Sequence, residues 1–131
     1  MRYPIIIIPV LIVGLYSCQK KDNTVSNPAG VAISITSPAN GQLYRSGDTI
    51  SIIADVSYAS ELHGYEVKII DTTSGTILYD DVQHVHDDHF SIHDKWVNTT
   101  AQQAGLKLSL VAAIDHDGNN AEKDIIFRYQ P

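Results

Sequence analysis

The sequence predicts an all-β fold, about seven short strands packed as two antiparallel sheets, and three observations carry that expectation. From Val31 onward the apolar residues recur with period two. Turn formers such as Gly47-Asp48, Ser74-Gly75 and Asp117-Gly118 interrupt them at short intervals. No stretch shows the i, i+3, i+4 spacing of an amphipathic helix.

The strands follow in order. Val31, Ile33 and Ile35 alternate with polar neighbours until Ser37-Pro38-Ala39-Asn40-Gly41 breaks the run, and Ile50, Ile52, Ala54, Val56 and Tyr58 alternate again. Gly64 to Asp71 places Tyr65, Val67 and Ile69 on one face, and after the Ser74-Gly75 turn Thr76 to Asp80 forms a short return strand, hence a hairpin. Phe90 and Ile92 lie on the inward face of the next strand, with Trp96 beyond them as a core residue. Leu106, Leu108, Leu110, Ala112 and Ile114 form the longest alternation and predict a central strand. The turn Asp117-Gly118 leads into a last strand in which Ile125, Phe127 and Tyr129 share a face.

Two segments, Ile33-Ser-Ile35-x-Ser37-Pro38-x-x-Gly41 and Ala113-Ile114-Asp115-x-Asp117-Gly118-Asn119, resemble those of immunoglobulin-like domains of bacterial surface proteins. The resemblance implies an immunoglobulin-like β-sandwich over residues 31–131 and leaves activity open, because such sandwiches serve as spacers, adhesion modules and binding proteins alike.

Ahead of this domain, Ile5 to Val13 follows Met1-Arg2 and is too short for a membrane span, which fits a signal peptide. Leu15-Tyr16-Ser17-Cys18 resembles the lipobox of bacterial lipoproteins, although Tyr16 is bulky for that motif. The resemblance implies cleavage of residues 1–17 and lipidation of Cys18, the single cysteine. Residues 18–30 then form a flexible tether, rich in polar and turn residues. Gln19 in place of an inner-membrane retention Asp, and the charged Lys20-Lys21-Asp22, imply an outer-membrane anchor, at the cell surface or otherwise facing the periplasm. With Cys18 acylated, no internal disulfide can form, so a hydrophobic core must hold the domain. The formal charge of -6, with few basic clusters, argues against nucleic-acid binding.

Four of the six histidines fall between Asp80 and Asp94. A chain reversal at Asp87-Asp88 would set His86 opposite His89 and Val85 opposite Phe90, gathering His84, His86 and His89 on an outer face with Asp87 or Asp88 nearby. Such a set suits zinc, nickel or copper(II), since no sulfur ligand remains in the mature chain. The sequence in this respect resembles small lipoproteins with a His-x-His loop, which imply no particular activity. His93 lies on the order of 13 Å further along and outside the group. The alternative is an adhesion or envelope-assembly subunit that contacts protein or glycan through sheet edges or loops. The histidines then form a solvated or pH-sensitive face, and aromatics clustered around Tyr58, Tyr65 or Tyr79 would mark the contact surface.

Other features suggest less. Asp115 to Asn119 superficially resembles a calcium loop but lacks the later bidentate Glu, and a Gly-bearing turn explains it. His63 and His116 stand alone in sequence and are expected as exposed turn residues. No serine sits in a nucleophile elbow, the carboxylates of Asp80-Asp81 and Asp87-Asp88 point to opposite strand faces, and no pocket is evident behind the histidines, so a non-catalytic role is expected.

Overall fold

Alternating apolar residues give each strand one face to bury, and two sheets bury those faces against each other. The computed structural model describes residues 30–99 and 102–131. Its strands are β1 (Ala32–Ser37), β2 (Leu43–Arg45), β3 (Thr49–Leu62), β4 (Gly64–Asp71), β5 (Ile77–Gln83), β6 (Asp87–Val97), β7 (Ala104–Ala113) and β8 (Asn120–Gln130). They form a three-stranded sheet in the order β1-β3-β6 and a five-stranded sheet in the order β2-β8-β7-β4-β5. This is the two-sheet sandwich that the alternation predicts, with the immunoglobulin-like architecture that the resemblance implies. Among the described residues no helix is long and apolar enough to cross a membrane. The signal peptide, Cys18 and nearly all of the tether lie outside the described residues.

The count is eight strands because three-residue β2, too short to show a period, pairs in parallel with β8. Tyr44 anchors it, packed edge-on against Phe127 with ring centroids 5.8 Å apart. The central strand is β7, between β4 and β8, and its Leu106, Leu108, Leu110 and Ala112 are fully buried. Ile50, Ile52, Ala54 and Val56 of β3 face them from the other sheet, while Tyr65 of β4 stacks on Phe90 of β6 at 5.1 Å. Trp96 packs half-buried against this core, as expected.

The expected reversal at Asp87-Asp88 does not occur. Strand β5 pairs with β4, whereas β6 pairs with β3, His89 opposite Ser57 and Phe90 opposite Val56. Residues 84–86 therefore carry the chain from one sheet to the other, and His86 never faces His89. The physical reason lies in the core: β6 beside β3 sets Phe90 and Ile92 next to the buried Val56 and Ala54, extending one apolar face. Val85, Phe90 and Ile92 still point inward, so the sorting of faces holds while the pairing differs.

A second crossing runs beside the first. Strand β3 ends at Leu62, opposite Asp87, and His63 leads into β4 in the other sheet. Gly64 allows this passage: its φ is +139°, and a Cβ there would lie 2.3 Å from the Gln83 carbonyl oxygen.

Two outcomes follow from this packing. Gly64→Ala is expected to lower stability by about 2 kcal/mol or more in urea titration. Gly75→Ala, at φ +72° with open space around it, should cost about 1 kcal/mol. The β4–β5 turn supplies the second test. Asp71 accepts hydrogen bonds from the backbone N–H groups of Ser74 and Thr73, and these hold its carboxyl below the usual aspartate range. A depressed folded pKa gives stability that is present above the ordinary aspartate value and lost as pH falls through the folded one. The stability gap between the native chain and Asp71→Asn should therefore be full at neutral pH and close from about pH 4 downward.

Candidate metal centre

The chain reverses direction at each connection from β3 to β8, so the connections β3–β4, β5–β6 and β7–β8 all emerge at one end of the sandwich. Each carries histidine: His63 in the first, His84 and His86 in the second, His116 in the third. The His63 backbone N–H donates to the Ala113 carbonyl at 2.8 Å and ties the first connection to the third.

The side chains converge. Ring centroids of His63 lie 4.3 Å from His116 and 4.9 Å from His86, and those of His84 and His86 are 4.8 Å apart. Nε2 of His86 is 3.0 Å from Nε2 of His84, and its Nδ1 is 3.0 Å from Glu61 Oε1. Glu61, His63 and His86 each offer a ligand atom, all within 4.8 Å of one another. Nδ1 of His63 is buried without a hydrogen-bond partner.

This arrangement has a definite chemical capacity. Two imidazole nitrogens 3.0 Å apart either share one proton or direct their lone pairs at one ion, and ligands at about 2.0–2.1 Å from a common ion are separated by a similar distance. Glu61 behind Nδ1 of His86 is the carboxylate partner that fixes the tautomer and turns Nε2 outward. Nitrogen and oxygen donors without sulfur suit zinc, nickel or copper(II).

Of the residues expected to form the site, His84 and His86 meet. His89 does not join them: it lies on the outer face of the three-stranded sheet, with Nε2 4.0 Å from Asp55 Oδ1. Asp87 pairs through its backbone opposite Leu62, its carboxylate accepts only a long 3.4 Å bond from the His89 N–H, and Asp88 is exposed in β6. Neither aspartate is in the ligand group found among the described residues. His93, opposite Ile53, stays outside as expected.

His116 is exposed in a turn, as expected, whereas His63 is half-buried, and neither stands alone. The signal lies in strand parity, since alternate connections in a run of strands that reverse direction share an end whatever their distance in sequence. Glu61, at the end of β3, had no local mark at all. The loop holding His116 is set by Asp115, whose carboxylate accepts hydrogen bonds from the Asn119 side chain at 2.6 Å and from the backbone N–H groups of Asn119 and Asp117. The Asn119 side chain foremost holds this carboxyl below its ordinary range. Turn hydrogen bonding thus accounts for the apparent calcium loop.

A depression of about 290 Å³ opens beside the histidines, on the outer face of the five-stranded sheet. Gly64, Ala113, His63 and His84 are among the residues that line it. The expectation that no pocket lies beside the histidines is corrected here.

No family model matches the chain, and no curated protein does. Among solved structures, the fibronectin(III)-like modules of Clostridium thermocellum CbhA align with a TM-score of 0.48 at 20% identity, over 76% of this chain and 96% of theirs. A CARDB domain from Pyrococcus furiosus, described in complex with di-metal ions, aligns with a TM-score of 0.45 at 10% identity, over 77% of this chain and 94% of its own. The chain is similar to both in its sandwich architecture.

Proposed function

We propose that this chain is a lipid-anchored, non-catalytic module of the bacterial envelope that captures a divalent transition metal ion at the imidazole cluster. Glu61, His63 and His86 hold the ion, with His84 beside His86 and His116 beside His63 at its margin. The observation that carries the reading is the convergence of four imidazoles from three separate connections with a carboxylate from the end of β3. A solvated polar face would leave each ring to water, whereas here a buried His63 nitrogen lacks a partner. The Leu15–Cys18 motif supports the anchor, and Lys20-Lys21-Asp22 supports an outer-membrane, surface-facing position.

The competing reading, adhesion to protein or glycan, loses its main candidates. Tyr58, Tyr65 and Tyr79 pack against the core, and the Tyr79 hydroxyl donates to Asp94 across the sandwich. They make no exposed aromatic platform.

Isothermal titration of the purified chain with Zn(II), Ni(II) and Cu(II) is expected to give one-to-one binding that weakens as pH falls, because protons compete for the same nitrogens. His86→Ala should abolish it, Glu61→Gln should weaken it about 10- to 100-fold, and His89→Ala should leave it unchanged. Equal affinity in native and His86→Ala proteins, with melting curves showing both folded, would sink the metal reading. Fatty-acid labelling in cells is expected for the native chain and should be absent from Cys18→Ser.

A further inference from the structure

His86 stands between two sets of donors and meets them with different atoms. Its Nδ1 lies 3.0 Å from Glu61 Oε1, and its Nε2 lies 3.0 Å from Nε2 of His84. The lone pairs of the two nitrogens of an imidazole diverge across the ring, so one ion cannot rest on both. Glu61 and His63 share with His86 the group whose ligand atoms all lie within 4.8 Å of one another, and His84 is outside that group. The His-x-His pair and the Glu61 group therefore approach the same ring from different sides.

The proton count makes the two sides exclusive. A neutral imidazole offers a lone pair on one nitrogen and carries its proton on the other. With an ion at Nδ1, the proton sits on Nε2 and is donated to His84. With an ion at Nε2, the proton sits on Nδ1 and is donated to Glu61. Either way the side without the ion keeps a hydrogen bond that orients the ring, and both contacts are present in the structure.

Donor number and charge rank the two sides. The Nδ1 side adds a carboxylate and the half-buried His63, whose buried Nδ1 lacks a hydrogen-bond partner. The Nε2 side has two neutral nitrogens on exposed residues. A cation is held more firmly where a negative charge and a third donor face it.

We infer that the cluster holds its single ion in two alternative seats on the two sides of the His86 ring, a stronger one with Glu61 and His63 and a weaker one with His84. The inference rests on the metal reading above. His84 is then a metal ligand in its own right, and the affinity of the protein is a sum over both seats.

The test titrates Zn(II) into the purified chain in four forms: native, Glu61→Gln, His84→Ala and the double variant. His84→Ala alone should change zinc affinity little, because the stronger seat is intact. Glu61→Gln alone should weaken it only as far as the His84 seat allows. The double variant should lose at least several-fold more than the product of the two single losses, whereas ligands of one common seat would lose no more than that product. Proton–nitrogen correlation spectra of the zinc-loaded, histidine-labelled proteins give a second readout, with zinc expected on Nδ1 of His86 in the native chain and on Nε2 in Glu61→Gln. His84→Gln replaces His84→Ala if melting curves show the latter unfolded. Failure of the native chain to bind zinc would overturn the underlying metal reading. A double loss no greater than the product, or zinc on the same His86 nitrogen in both proteins, would each overturn the inference and leave the metal reading intact.

Discussion

Burial of two apolar faces against each other is the constraint on which everything else in this molecule depends. A chain that must fill both sheets has to pass repeatedly between them, and each passage interrupts the alternation that drives strand pairing. The passages at His63 and at residues 84–86 run side by side because β3 and β6 pair in one sheet while β4 and β5 pair in the other. Polar residues collect there since the inward–outward pattern no longer applies. The histidine cluster is thus a product of topology as much as of local sequence.

The core was legible in the sequence because its signal is local. Leu106, Leu108, Leu110 and Ala112 alternate with residues that face the other way, and each proves fully buried. Pairing is less local. Val85 and Phe90 do face inward, yet Val85 lies in the crossing between sheets and Phe90 in β6 beside β3, because a period of two assigns faces without saying which neighbour a strand will choose. The cluster inherits that ambiguity: His84 and His86 are visible as His-x-His, while His63 and His116 join them only through connections that share an end. Strand β2 escaped for a simpler reason, as three residues with only Tyr44 buried carry no period.

Support for the cluster is uneven in kind. Glu61 fixes His86 through a hydrogen bond, Asp115 fixes the loop of His116 through three, and His63 is fixed by its backbone bond to Ala113 while its ring nitrogen stays unpartnered. Orientation comes from partners outside the group, and the unmet valence lies within it. This division suits a binding site, where the frame should be rigid before the ligand arrives.

The β3–β4 and β7–β8 connections are joined by the hydrogen bond from His63 to Ala113, across half the length of the domain in sequence. Its consequence is temporal. In an unfolded chain the donors are near each other only as two separate pairs, Glu61 with His63 and His84 with His86, each a weak chelate, and the group assembles when the strands pair. Under the proposed envelope role, a polypeptide exported in extended form would therefore pass through metal-poor and metal-rich compartments alike with little hold on any ion. Its appetite for metal would begin only where it finishes folding, so the final compartment, rather than the route, would decide what it carries.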